Sequence, residues 1–229
     1  MSQPTVRDVM TMLDHSLLRP TLTLAELEAG CHDALSLGVA SVCVLPYFVA
    51  RSAAILAGSS TLPSTVLAFP HGALALPAKL AELCVALEAG AKEVDVVVNI
   101  SQVKSHAFDD VEREVLALTR QSQQAGTRIK LIFETCYLSD IEKRQLCAIC
   151  GSAGVDWVKT STGFGSHGAT LDDVALLRQH TPLTVQVKAS GGIRSLDDVL
   201  SYRQAGATRV GTSASRGIFE EAKARLSSA

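Results

Sequence analysis

Four times along this chain a helical stretch ends on glycine and an apolar run begins a few residues later, in the phrases EAGAKEVDVV, QAGTRIKLIF, SAGVDWVKTS and QAGATRVGTS. A unit repeated at steps of roughly 25 to 50 residues indicates a succession of βα modules in one body rather than separate domains. Gly38, Gly90, Gly126, Gly154 and Gly206 stand just past the helical stretches, where the chain turns left-handed and a Cβ is a penalty. The helix starts are marked as well. Thr23 with Glu26 and Ser139 with Glu142 form capping-box patterns, and Thr170 and Ser195 are N-cap candidates ahead of acidic first turns.

Between the helices, residues 41–46 (SVCVLP), 65–70 (TVLAFP), 93–100 (EVDVVVNI), 128–135 (RIKLIFET), 156–161 (DWVKTS), 183–190 (LTVQVKAS) and 208–213 (TRVGTS) read as strands, with 12–18 (MLDHSLL) a weaker eighth. Their β-branched texture reads as parallel strands covered on both faces, which lose polar alternation. Eight βα units in 229 residues fit a compact (β/α)8 TIM barrel, a fold that usually takes about 250. With 47% hydrophobic residues the chain can fill one core, so a single α/β domain over residues 1–229 is expected, residues 1–11 forming a short helix over the barrel floor. The competing fold, an open doubly wound sheet, usually carries G-x-G-x-x-G after its first strand, and nothing near residues 16–23 supplies it.

Charge inside a buried strand is costly unless it is paired or used. Asp95, Lys159 and Lys188 stand in the fourth, sixth and seventh strand runs, whose inward side chains converge in a barrel. One such lysine is more often structural or snorkels outward; three converging charges favour function. An amine held in partly apolar surroundings beside a second ammonium loses proton affinity, and the neutral amine attacks carbonyls. A nearby carboxylate balances the remaining charge and relays protons. The set reads as Schiff-base machinery, and spacing leaves open which lysine is the nucleophile. Gly163, Gly165 and Gly168 follow the Lys159 strand, Gly191 and Gly192 follow the Lys188 strand, and Gly211 with Ser213 ends the last. Each cluster alone is ordinary turn punctuation, but together they occupy the usual phosphate site of this barrel, where bare backbone N–H groups can converge on an anion.

A formal charge of −2 provides no bulk attraction to nucleic acid or an anionic membrane. No apolar run reaches the roughly 18 residues of a membrane span, and the first residues lack a signal-peptide core, so a cytoplasmic location is expected. The six cysteines, Cys31, Cys43, Cys84, Cys136, Cys147 and Cys150, lie in apolar runs and are expected mostly as reduced core residues. Cys147 and Cys150 form a C-x-x-C that closes a helix over residues 139–150 instead of opening one after a strand, and they read as structural. His15, His32, His71, His106, His167 and His180 show no metal-ligand spacing, so neither metal nor cofactor is expected; His15 and His71 follow strand runs and are candidates for the barrel mouth.

The motifs LDHSLL, SVCVLP, FPHG, EVDVVVNI, VKTSTGF, GAT, VKASGGIR and GATRVGTS, in this order over nearly the whole chain, resemble those of the deoxyribose-phosphate aldolase family. The resemblance implies that Lys159 forms a Schiff base with the substrate aldehyde, that Lys188 perturbs its pKa and that Asp95 takes part in proton relay. It implies reversible cleavage of 2-deoxy-D-ribose 5-phosphate to acetaldehyde and D-glyceraldehyde 3-phosphate, in deoxyribonucleotide catabolism, by a metal-independent class I enzyme assembled as a homodimer. Thr162, Gly163, Gly191, Gly192, Gly211, Ser213, Cys43 and Asp14 then form the substrate and phosphate site. Cys43 holds the position of a family cysteine near the substrate, although a packed core thiol is an equal reading. Some members place a basic residue where Phe164 stands, which implies that the phosphate rests mainly on backbone N–H groups and hydroxyls. Others end in a tyrosine, whereas this sequence ends Arg225-Leu226-Ser227-Ser228-Ala229, so a tail-assisted step is not expected. A phosphosugar isomerase, another Schiff-base aldolase, or a non-catalytic phosphosugar-binding barrel are the competing readings.

Overall fold

The computed structural model describes residues 4–226. Eight parallel strands close a barrel in chain order, with β8 pairing back to β1: β1 (Leu13–Leu17), β2 (Ser41–Val44), β3 (Leu62–Leu67), β4 (Glu93–Val97), β5 (Arg128–Ile132), β6 (Trp157–Lys159), β7 (Gln186–Ser190) and β8 (Arg209–Thr212). A short helix, α1 (Val6–Met10), precedes β1. The strands are then followed in turn by α2 (Leu24–Leu37), α3 (Val49–Leu56), α4 (Leu76–Glu88), the pair α5 (Ile100–Lys104) and α6 (Phe108–Gln124), α7 (Asp140–Ala153), α8 (Leu171–His180), α9 (Leu196–Gln204) and α10 (Ser215–Arg225). Of the expected floor helix, residues 1–3 lie outside the described residues, as do residues 227–229 of the tail.

The strands are parallel and buried on both faces, as the sequence implied, but the expected loss of polar alternation does not hold: side chains alternate in kind, inverted relative to a one-sided sheet. Val42, Val44, Val94, Val96, Ile129, Leu131, Val158, Val187 and Val210 point outward and join one apolar cluster with Leu27, Leu83, Leu118, Leu146, Leu177 and Ile218 of the surrounding helices. Each such side chain, fully buried, contributes about 1.5–3 kcal/mol. The residues between them point inward, and many are charged: Glu93, Asp95, Lys130, Lys159, Lys188 and Arg209 are all buried. Register carries this parity around the barrel, with Asp95 opposite Lys130, Lys159 opposite Lys188, and Lys188 opposite Arg209.

The capping boxes at Thr23–Glu26 and Ser139–Glu142 form, Ser195 makes a third with Asp198, and Thr170 caps α8 through the Asp173 N–H. All five expected glycines adopt positive φ. The third strand begins earlier than its β-branched run, at Leu62, and includes Pro63. Pro63 is tolerated because it precedes the first β3–β4 pair, Ser64 with Glu93, so its missing N–H removes no ladder bond on that side. Cys31, Cys43, Cys147 and Cys150 are buried free thiols, the C-x-x-C pair inside α7, whereas Cys84 is exposed and Cys136 half-buried. None of the described helices is long and apolar enough to cross a membrane.

Candidate active site

The inward charges form a stacked network. At the floor, Lys130 donates to Glu93 at 2.5 Å and to Asp95 Oδ1 at 2.9 Å, and the Arg209 guanidinium reaches both Asp14 and Glu93. The Trp157 ring lies beneath three cations, with the Arg209 guanidinium 4.9 Å, the Arg128 guanidinium 5.2 Å and the Lys130 ammonium 5.5 Å from its centroid. These contacts compensate the desolvation of each ion, which an isolated buried charge would not survive. Higher up, Asp95 Oδ2 accepts from Lys159 and Lys188, each at 2.7 Å, and Asp14 accepts from Lys188 and, at 2.6 Å, from the Ser41 hydroxyl.

The lysines separate electrostatically. Burial lowers the pKa of Lys159; Asp95 opposes the effect, Lys188 adds to it, and the net is a lowered value. Burial pulls Lys188 the same way, but Asp14 and Asp95 overcome it and raise the net value; Asp95, Glu93 and Asp14 do the same for Lys130. Despite burial, Lys130, Lys159 and Lys188 hold Asp95 well below the ordinary carboxylate range, and Asp14 is held low by Lys188, Lys130 and Arg209. Of these three, Lys159 is therefore the amine most readily made neutral.

Above this network opens a cavity of about 230 Å³ at the carboxyl ends of β6, β7, β8 and β1, the end where barrel enzymes carry their chemistry. Of the candidate residues, Lys159, Thr162, Gly163, Gly191, Gly192, Gly211 and Ser213 are on its wall. The two loops that shape it touch backbone to backbone: a Cβ built on Gly191, at φ 90°, would lie 2.7 Å from the Gly168 Cα. A Cβ on Gly211 would lie 3.3 Å from the Lys188 Cε, so glycine there leaves room for the lysine stem.

Lys188, Asp95, Asp14 and Cys43 lie beneath the wall rather than on it. Asp14 is wholly buried and engages Lys188 and Arg209, which makes it part of the support and not of the lining. Burial pushes the Cys43 thiol up to about 11, the state of a packed thiol rather than a nucleophile. His15, expected near the mouth, faces the helices as its strand parity requires, with Nδ1 2.9 Å from the Ser215 hydroxyl. His71 borders a neighbouring cavity with Glu134, Tyr137 and Phe164. Sequence reasoning passed over Lys130, Glu93 and Arg209, although each has the inward parity of Asp95 or Lys188. It also passed over Arg19 and Arg194, which lie on the wall, Arg19 being paired with Glu26 at 2.9 Å. The described residues contain no group of three or more His, Cys, Asp or Glu placed to hold a metal ion.

The family model described as DeoC/LacD family aldolase matches residues 8–221. The chain is 50% identical over 219 residues to a deoxyribose-phosphate aldolase of Rhodopirellula baltica, covering 96% of this chain and 91% of that one. It is 42% identical over 222 residues to a deoxyribose-phosphate aldolase of Caldanaerobacter subterraneus, covering 96% of each. Among solved structures it resembles the tetrameric deoxyribose phosphate aldolase of Aeropyrum pernix, at TM-score 0.88 and 32% identity over 96% of this chain and 92% of that one. Sequence, barrel and family model agree over the same span, and the chain belongs to the DeoC/LacD family of aldolases.

Proposed function

We propose that this aldolase reversibly cleaves 2-deoxy-D-ribose 5-phosphate to acetaldehyde and D-glyceraldehyde 3-phosphate through a Schiff base on Lys159. The observation that carries the reading is that, of the three lysines inside the barrel, Lys159 alone both lines the cavity and has a lowered pKa. Its neutral amine attacks the C1 aldehyde, and loss of water leaves an iminium that acts as electron sink. The C2–C3 bond then breaks as its electron pair moves into the iminium and the C3 hydroxyl surrenders its proton. Asp95, held low by three ammonium groups, suits a relay that passes this proton on, directly or through a water it orders, and not a store for it. Protonation of the enamine at C2 and hydrolysis return acetaldehyde and the free amine.

The phosphate is assigned to the glycine loops carrying Gly163, Gly191 and Gly192, with Gly211, Ser213, Arg19 and Arg194 around them. No metal and no cofactor enters the scheme. The resemblance extends the proposal to a cytoplasmic homodimer acting in deoxyribonucleotide breakdown, which sedimentation and a knockout grown on deoxyribonucleosides test.

The deciding experiment incubates the protein with deoxyribose 5-phosphate and sodium borohydride and maps the reduced amine by peptide mass spectrometry. A substrate-dependent adduct on Lys159 is expected. An adduct on Lys188 would reverse the two lysine roles, and no adduct despite substrate binding would turn the reading toward an isomerase or binding protein.

A further inference from the structure

Glu134 follows β5 in the left-handed region, at φ 55°, a conformation that a non-glycine residue keeps only where its surroundings over-determine it. On either side of it, the Phe133 N–H donates to the Lys159 carbonyl and the Thr135 N–H to the Thr160 carbonyl, each at 2.9 Å. The twist between these two bonds turns the Glu134 side chain over the segment that carries the candidate nucleophile. There it is 1% exposed, accepting the Thr162 N–H at 3.2 Å and the Thr162 hydroxyl proton. Gly165 covers it from behind, since a Cβ there would lie 2.7 Å from the Cys136 sulfur and 3.0 Å from the Glu134 carboxyl carbon.

A threonine hydroxyl has one proton and two lone pairs. The proton of Thr162 is engaged by Glu134, and one lone pair accepts the Phe164 N–H at 3.0 Å. One acceptor lone pair is left on this hydroxyl, and Thr162 shares the cavity wall with Lys159. We infer that Glu134 is a positioning residue that fixes this hydrogen-bond polarity, so that the site selects acceptor aldehydes bearing a hydroxyl able to donate to Thr162. The inference rests on the aldolase reading and goes beyond it, because that reading gives Glu134 no role. Glyceraldehyde 3-phosphate carries such a hydroxyl beside its aldehyde carbon, whereas 3-oxopropyl phosphate lacks it.

The test runs the reaction in the bond-forming direction, with acetaldehyde and each of these two acceptors. Glu134→Gln keeps the shape but can present an amide N–H to Thr162 and free its hydroxyl to donate. The preference for the hydroxylated acceptor, as a ratio of kcat/KM values, is expected to fall about tenfold, the scale of one hydrogen bond. Equal losses on both acceptors, the mark of a merely structural role, overturn the inference, as does an unaltered ratio. A wild-type protein that joins neither acceptor to acetaldehyde overturns the aldolase reading along with this one; an active wild type whose preference survives Glu134→Gln overturns this one alone. NMR of threonine-labelled wild type gives a readout independent of the variant's folding: a slowly exchanging Thr162 hydroxyl proton is expected, and rapid exchange overturns the assignment.

Discussion

Lys159 and Lys188 are register partners on adjacent strands, and one oxygen of Asp95 lies 2.7 Å from both ammonium nitrogens. Their pKa values nevertheless move in opposite directions, because Asp14 bears on Lys188 while repulsion from Lys188 bears on Lys159. This asymmetry makes a two-signed prediction. Lys188→Met removes a positive neighbour, so the Lys159 pKa rises and the pH midpoint of acetaldehyde adduct formation shifts upward, with less adduct at neutral pH. Asp95→Asn removes a negative neighbour, so the midpoint shifts downward even as turnover falls. Borohydride trapping across a pH series, quantified by intact mass, reads both. Shifts in the same direction would mean that the charge pair does not set the pKa of Lys159.

The elements divide their labour by strand end. The floor of the barrel holds Trp157, Glu93 and Arg209, while the carboxyl ends of β6, β7 and β8 pass directly into loops that line the cavity. Those loops approach because Gly191 meets Gly168 with no side chain between them, which lets the Ala169 N–H donate to the Ser190 carbonyl at 3.0 Å. Gly191→Ala introduces both a clash and a strained positive φ. It is expected to raise KM for deoxyribose 5-phosphate about tenfold or more, while the Lys159 adduct with acetaldehyde, which has no phosphate, is affected less. Steady-state kinetics beside acetaldehyde trapping check this, and equal effects on both would argue against a phosphate role for the loop.

For the molecule as a whole, the barrel interior is an ion network while the apolar core is the outer ring between sheet and helices. Lys130→Met illustrates the consequence. It leaves Glu93 and Asp95 with fewer cations in a buried site and is expected to cost about 3–5 kcal/mol of stability near neutral pH. The sign with pH follows from Asp95, whose folded-state pKa is depressed below its ordinary 3.8. Its contribution is fully present above that value and lost as pH falls through the folded one, so the gap between wild type and variant narrows in acid. Urea unfolding at descending pH measures it, and a gap that widens in acid would contradict the network account.

Much of this was legible in local order: the helix caps, the recurring glycine-to-strand unit and the runs around Asp95, Lys159 and Lys188 pointed to the barrel and to Schiff-base chemistry, because caps and β-branched runs depend on near neighbours. Reading EVDVV, RIKLI and RVGT at period two would also have marked Glu93, Lys130 and Arg209 as inward. What only the closed barrel decided is which lysine is pushed toward neutrality, that Asp14 and Cys43 lie beneath the cavity wall, and that Glu134 reaches Thr162. Each depends on side chains 28 to 195 positions apart meeting in a water-poor interior, where the distance between charges and their desolvation, neither of them written into any single stretch of chain, set the chemistry.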